Sequence, residues 1–352
     1  MTWLFTCRHT YEPTLLVELN RLGLAADRCR AVLPGVVEAD LVETPTHEAL
    51  THWDPAYALQ VLPDVRRARG VSIAELAKAC VAQLPAQWPD WPGRFAVHAF
   101  VPGLLKGQPK PALRQRTELL QAAVHKLLMA GPRLPTASRL TQRLVQLLLL
   151  SPSEVVVAAS PVVHFGRALV WPSLLPAGLA NPPDEDDAPN SAFRKLREAF
   201  AWLGPPAPGS VVVDLGASPG GWTHVLRRLD CVVTAVDRAP LTAELMADPR
   251  VQFVKGDAFG WLPPQPVNGL VSDIIAYPER AAELLEKWCG ATAMQWFVVQ
   301  MKFKGAPDWT ALDNARRIAH HHGYLVRARH FFNDKNELTL LGLRREVGDG
   351  QG

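Results

Sequence analysis

The chain has 352 residues, 48% of them hydrophobic and 20% charged, enough to bury a substantial core divided among two or three domains. Its formal net charge of +3 is too small to mark a nucleic-acid binder, so any basic binding surface has to come from local clustering. Five cysteines, Cys7, Cys29, Cys80, Cys231 and Cys289, stand far apart with no CxxC pair, which argues against a disulfide framework or a structural zinc and predicts free thiols in a reducing, cytoplasmic setting.

Met1 to Thr10 reaches Arg8 and His9 before an apolar run of signal length is complete, so no secretory segment is expected. Residues 1–171 are expected to form an α+β region, because helical patterns at Pro13 to Leu22 and Ala112 to Leu128 alternate with short apolar runs such as Phe95 to Val97 and Val155 to Val157. The longest apolar stretch near the middle, Leu144 to Leu150, is interrupted by Gln146 and falls far short of the about 20 residues that cross a bilayer. No membrane partner is expected. Basic residues gather at Arg66, Arg67 and Arg69, at Lys106, Lys110, Arg114 and Arg116, and at Arg133, Arg139 and Arg143. Such groups suit RNA phosphates and solvated helix faces equally well. Trp88, Trp91 and Trp171 offer rings for base stacking, although core packing is the commoner role of such residues.

From residue 172 to 189 proline and acid accumulate, ending in Asp184-Glu185-Asp186-Asp187, and this stretch is predicted to be a linker. Residues 190–345 change pattern and form the second expected domain, with 346–352 as a tail. Apolar runs recur at Val211 to Asp214, Cys231 to Val236, Val251 to Val254, Gly269 to Ile274 and Trp296 to Met301, separated by helical stretches. Such alternation predicts parallel strands joined by right-handed crossovers. Tyr324 to His330 and Glu337 to Leu343 are joined only by Asn333-Asp334-Lys335-Asn336, too short for a crossover helix, so they should pair as an antiparallel hairpin. A parallel sheet finished by a hairpin is the plan of a Rossmann-like α/β methyltransferase domain of class I.

The first of these strands runs directly into Asp214-Leu215-Gly216-Ala217-Ser218-Pro219-Gly220-Gly221-Trp222, with a helical stretch behind it. Loops at the carboxyl end of the first strand are where α/β sheets bind ligands, and Gly216, Gly220 and Gly221 let the backbone come close to one. The second strand ends at Asp237, placed to accept hydrogen bonds from ribose hydroxyls, and the third is followed by Gly256-Asp257-Ala258-Phe259, suited to an adenine. Three strand ends thus point to one adenosine. A nicotinamide dinucleotide fits poorly, because Ser218 stands where its second glycine would be, and no G-x-x-x-x-G-K-[ST] phosphate loop occurs. The expected cofactor is S-adenosyl-L-methionine, held by Asp214, Gly216, Ser218, Pro219, Gly220, Gly221, Trp222, Asp237, Asp257 and Asp273; no metal is expected.

After the fourth strand stands Asp273-Ile274-Ile275-Ala276, not the Asp/Asn-Pro-Pro-aromatic turn common among amino-group methyltransferases; Asn181-Pro182-Pro183-Asp184 precedes the cofactor loop and does not count. Neither Cys231 nor Cys289 is placed to attack a pyrimidine carbon. Instead Asp273 and Lys302 end the fourth and fifth strands, Glu337 begins the last, and Lys195 lies on a helix whose Phe193, Leu196, Phe200 and Leu203 would pack on the domain. A lysine helps to deprotonate a ribose hydroxyl only when its surroundings favour the neutral amine.

Lys195, Asp273, Lys302 and Glu337, with the segments 188–195, 214–223, 256–259, 271–273 and 332–337, resemble the bacterial 23S ribosomal RNA cytidine 2′-O-methyltransferases, which use a Lys-Asp-Lys-Glu tetrad behind an N-terminal region containing a THUMP domain. The resemblance is specific over about the last half of the chain; before it, Cys7-Arg8 with Glu12 is the clearest match. It implies Lys302 as proton acceptor, supported by Lys195, Asp273 and Glu337, and ribosomal RNA as partner. The chain departs from the family at Ala192, where a small hydroxyl residue is usual, and at Phe303-Lys304, which replace Leu-Pro. Lys304 therefore stands where it could assist or compete with Lys302. A catalytically silent RNA-binding factor, or a methyltransferase of an RNA base or a protein, remain the alternatives.

Overall fold

The computed structural model describes residues 1–42, 53, 55–88, 93–101, 111–128, 141–165, 169–180 and 182–345. They fall into two compact units, Met1–Leu179 and Ala180–Gly352. Trp91, Lys106, Lys110, Arg133, Arg139, Asn181 and the expected tail 346–352 lie outside the described residues.

In the first unit, β1 (Thr2–Thr6) is paired antiparallel to both β3 (Val36–Asp40) and β4 (Gln60–Leu62), and β2 (Cys29–Leu33) extends the sheet beyond β3. Helix α1 (Glu12–Arg21) carries Leu15 and Leu19 inward. A second sheet has the order β5 (Arg66–Arg69), β8 (Glu154–Pro161), β7 (Thr141–Ser151), β6 (Arg94–Phe100). Strands β6 and β7 run parallel, which demands a crossover, and α3 (Pro111–Leu127) supplies it. Together with α2 (Ile73–Ala82), capped by Ser72 and Glu75 in a reciprocal box, α3 packs on this sheet through Leu76, Leu120 and Val124 against Val145, Leu147 and Val157. The apolar run Leu144 to Leu150 is thus a strand buried on both faces, which explains its near-continuous hydrophobicity. A two-stranded ribbon, β9 (Val163–Phe165) with β10 (Leu169–Trp171), follows. Among the described residues no helix is long and apolar enough to cross a membrane.

The second unit is built on a seven-stranded sheet in the order β13 (Val251–Lys255), β12 (Val232–Asp237), β11 (Val211–Leu215), β14 (Gly269–Ser272), β15 (Trp296–Lys302), β17 (Glu337–Arg344), β16 (Tyr324–Arg329). The first five named are mutually parallel, and β17 is antiparallel to both its neighbours. The expected hairpin is present, with its second arm inserted between β15 and β16. The strand order reverses between β11 and β14. Right-handed crossovers then place α5 (Gly221–Arg228) and α7 (Pro278–Ala291) on opposite faces and open a crevice at the carboxyl ends of β11 and β14. Helices α4 (Phe193–Leu203), α6 (Ala243–Ala247) and α8 (Trp309–His321) complete the unit.

The stretch predicted as a linker is divided between the units at Leu179 and Ala180. Its acidic run is tied to the second unit: Asp184 pairs with Arg194, Asp187 with Arg228, and Glu185 with Arg197 at 2.8 Å and His224 at 2.9 Å. Charge that a sequence reading assigns to a solvated connector is here matched to cations on α4 and α5.

Candidate active site

Helix α4 buries Phe193, Leu196, Phe200 and Leu203, each 5% exposed or less, as its 3.6-residue period requires, and ends at Gly204 with φ +86°. That seating fixes Lys195 at the edge of the sheet. Lys195 Nζ lies 2.5 Å from Glu337 Oε1 and 3.6 Å from Asp273 Oδ1; Lys302 Nζ lies 2.7 Å from Asp273 Oδ1 and 3.7 Å from Glu337 Oε2. Lys302 also donates to the Asp273 carbonyl at 3.1 Å. Four residues up to 142 positions apart in sequence therefore form one alternating cluster of two cations and two anions. Burial alone would lower the Lys195 ammonium, yet Asp273 and Glu337 outweigh it and hold its pKa above the ordinary lysine value. Burial likewise opposes ionisation of Glu337, but Lys195 and Lys302 hold its carboxyl below the ordinary value. Lys195 is 13% exposed and Lys302 20%, so Lys302 presents the more accessible amine.

Three further groups support this cluster, and of these only Glu198 lies outside the segments the sequence singles out. Glu198, one helical turn after Lys195 and 1% exposed, accepts hydrogen bonds from Phe332 N at 3.2 Å, Asn333 N at 2.9 Å and Asn333 Nδ2 at 3.1 Å. It fastens the β16–β17 turn, and hence Glu337, to the helix bearing Lys195. Asn336 Nδ2 donates to the carbonyls of Phe303 (3.0 Å) and Gly305 (2.7 Å), tying the same turn to the loop after Lys302. Asp334 is fully buried and accepts from Phe331 N and Thr339 Oγ1; burial pushes its carboxyl well above the ordinary value, and Glu337 adds to the effect.

Across the crevice, Gly216 takes φ +75° and Gly220 φ +121°, conformations that side chains resist. A Cβ on Gly216 would stand 2.6 Å from Ile274 Cγ1, so the loops after β11 and β14 touch at the switch point. Gly221 opens α5, and the Thr223 amide in its first turn, which has no partner within the helix, donates to the Asp214 carboxylate. The Ser218–Pro219 peptide is cis. Asp237 accepts from Ser218 N at 3.0 Å and Ala239 N at 2.9 Å, joining the second strand end to the glycine loop, and Gly256 N donates to the Asp237 carbonyl. Asp257 is exposed and pairs with Arg238 at 3.1 Å.

Two residues expected at the cofactor turn inward. Asp214 is 1% exposed, accepts from Thr223 Oγ1 at 2.7 Å and is pushed up to about 7 by burial, so it braces the loop from beneath. The Trp222 ring is 3% exposed and its indole N–H donates to the Ala192 carbonyl at 2.9 Å, anchoring the start of α4. Any ligand contact from Trp222 is left to its backbone.

Nothing lies within 4 Å of a Cβ built on Gly256, so open space adjoins the Asp237 and Asp257 turns. Two carboxylates with unused lone pairs, set beside the glycine turn and the open space at Gly256, form an acceptor set that fits an adenosine carrying a charged amino-acid tail. Burial pushes the Cys231 thiol up to about 11 and that of Cys289 up to about 12, so neither is a ready nucleophile.

The basic residues of the first unit divide. Arg66, Arg67 and Arg69 project from the exposed strand β5, the last two sharing Glu154 at 2.8 and 3.3 Å. Arg114 is exposed beside Glu118. Arg116 is spent on the carbonyls of Pro152 and Val71. Arg143 is 7% exposed, stacks over Trp88 at 4.9 Å and donates to its carbonyl, which makes it a core residue and not a phosphate contact. Trp88 and Trp171 are buried as well, so neither ring is open to a base.

A family model described as FtsJ-like methyltransferase matches residues 190–277, spanning Lys195, the glycine loop and Asp273. Fold and site together define an S-adenosylmethionine-dependent methyltransferase of the FtsJ-like class. The ribosomal RNA large subunit methyltransferase M of Alkalilimnicola ehrlichii is 31% identical over 98% of this chain and 95% of its own length. Proteins of the same name from Laribacter hongkongensis and Xanthomonas oryzae pv. oryzae are 33% and 36% identical over 62% and 45% of the chain, and 64% and 48% of their own lengths. The chain belongs to the ribosomal RNA large subunit methyltransferase M family.

Proposed function

We propose that this protein methylates a ribose 2′-hydroxyl of 23S ribosomal RNA, with a cytidine as the target nucleoside. The observation that carries the reading is the convergence of Lys195, Asp273, Lys302 and Glu337 on the crevice that also holds the glycine turn. When bound, S-adenosylmethionine supplies a methyl group on a sulfonium, an electrophile that needs no metal. The backbone from Gly216 to Gly221, with Asp237 and Asp257, would hold the adenosine, and Asp273 the end nearer the sugar.

A 2′-hydroxyl is a weak nucleophile, so the chain's own residues must orient it and take its proton. Lys302, the more open of the two amines, is assigned as proton acceptor. Lys195 keeps its charge, held by Glu337 at 2.5 Å. Asp273 and Glu337 aim both amines. Capture of RNA is assigned to the first unit, supported by the exposed arginines of β5.

The test is incubation of the protein with labelled S-adenosylmethionine and unmodified 23S ribosomal RNA, followed by complete digestion to nucleosides. The expected product is 2′-O-methylcytidine. Label on a base, or no transfer despite RNA binding, would overturn the proposal.

A further inference from the structure

Among the described residues of the second unit, the large apolar side chains left exposed are Val232, Met246, Ile275, Tyr277 and Phe332. Three of these five stand beside the acids of the lysine cluster: Ile275 and Tyr277 lie two and four residues after Asp273, and Phe332 five residues before Glu337. Exposed apolar surface gathered at a catalytic edge marks a contact face.

Tyr277 is 60% exposed, and Lys304 Nζ sits 4.5 Å from its ring centroid while donating to its hydroxyl at 2.8 Å. Lys304 follows Lys302 by two residues, and Tyr277 follows Asp273 by four. The Lys304–Tyr277 contact is therefore a second rung between the two loops that Lys302 and Asp273 already join. With 60% of Tyr277 exposed, ring surface beyond the Lys304 ammonium stays open to solvent. An aromatic face beside a cation fits a nucleotide, base on ring and phosphate on ammonium. Asn336, by holding the Phe303 and Gly305 carbonyls, fixes the loop from which Lys304 reaches out.

We propose that Tyr277 and Lys304 form a subsite for the nucleotide flanking the methylated ribose, the base stacking on the open face of Tyr277 and its phosphate meeting Lys304. This rests on RNA being the substrate of the adjoining cluster. The test measures affinity for a 23S ribosomal RNA transcript by fluorescence anisotropy, alongside KM for RNA and for S-adenosylmethionine. Tyr277→Ala should weaken RNA binding and raise its KM by about tenfold, the scale of one lost stacking contact, with KM for S-adenosylmethionine unchanged. Tyr277→Phe should stay near wild type. Lys304→Met should weaken RNA binding and reduce its salt dependence by about one phosphate contact. Unchanged RNA affinity in both Tyr277→Ala and Lys304→Met would overturn the subsite. Failure of the wild-type protein to yield a sugar-methylated nucleoside would instead strike the proposed reaction, and the anisotropy comparison would still judge the subsite.

Discussion

Replacing Asp214 by asparagine should make the protein more stable as pH rises, relative to wild type. The carboxyl is 1% exposed; burial pushes it up to about 7, and the 2.7 Å bond from Thr223 Oγ1 only partly offsets that. An acid whose folded value is raised keeps its proton in the native state while the unfolded chain has already lost it. Stability is then undiminished below the ordinary value of 3.8 and declines as pH climbs from there to about 7. At about 1.4 kcal/mol per unit, the full interval amounts to about 4 kcal/mol, on the order of 10 °C in Tm for a unit of this size. Asparagine has no proton to lose and its carbonyl can still accept from Thr223. Calorimetry of the full chain at pH 4, 5.5 and 7.5 should show the Asp214→Asn advantage widening with pH. Parallel pH profiles would refute the buried, proton-retaining carboxyl.

Lys302→Met should lower kcat by about 10²- to 10⁴-fold with cofactor affinity retained by isothermal titration, because Lys195 still faces both acids and keeps them in place; near-normal turnover would remove Lys302 from the chemistry. Glu337→Gln should cost about 2 kcal/mol at neutral pH, less than for an isolated buried pair since Asp273 still faces Lys195. Because Glu337 is held below its ordinary 4.5, that difference is complete above 4.5 and fades as pH falls through the depressed value, so calorimetry should give the full gap at pH 7 and a gap that narrows as pH is lowered below 4.5. Glu198→Gln, which keeps shape but weakens the grip on Phe332 and Asn333, should reduce kcat while leaving both KM values unchanged; a change in KM for cofactor alone would place Glu198 elsewhere.

The glycine loop, Asp237 and the terminal hairpin were legible because their signals are local: a buried strand run, a turn of small residues, a link too short for a helix. The lysine cluster was legible only as four strand and helix ends that a parallel sheet brings to one edge. Glu198 was not, since its partners lie 134 and 135 positions away and nothing about a glutamate on an amphipathic helix announces backbone donors across the crevice. Arg143 misled for the same reason: its period on β7 turns it toward Trp88, where aromatic rings hold the guanidinium. The run Asp184 to Asp187 looked like a connector because composition records charge and not the positions of Arg194, Arg197 and Arg228, which lie along α4 and α5.

The insertion of β17 between β15 and β16 ties the sheet and the lysine cluster to one strand. Without β17, β15 would offer an unpaired edge and Lys195 would lack its nearest anion. The strand that closes the sheet is thus also the one that brings an acid to the two lysines, so the cluster depends on the completeness of the fold.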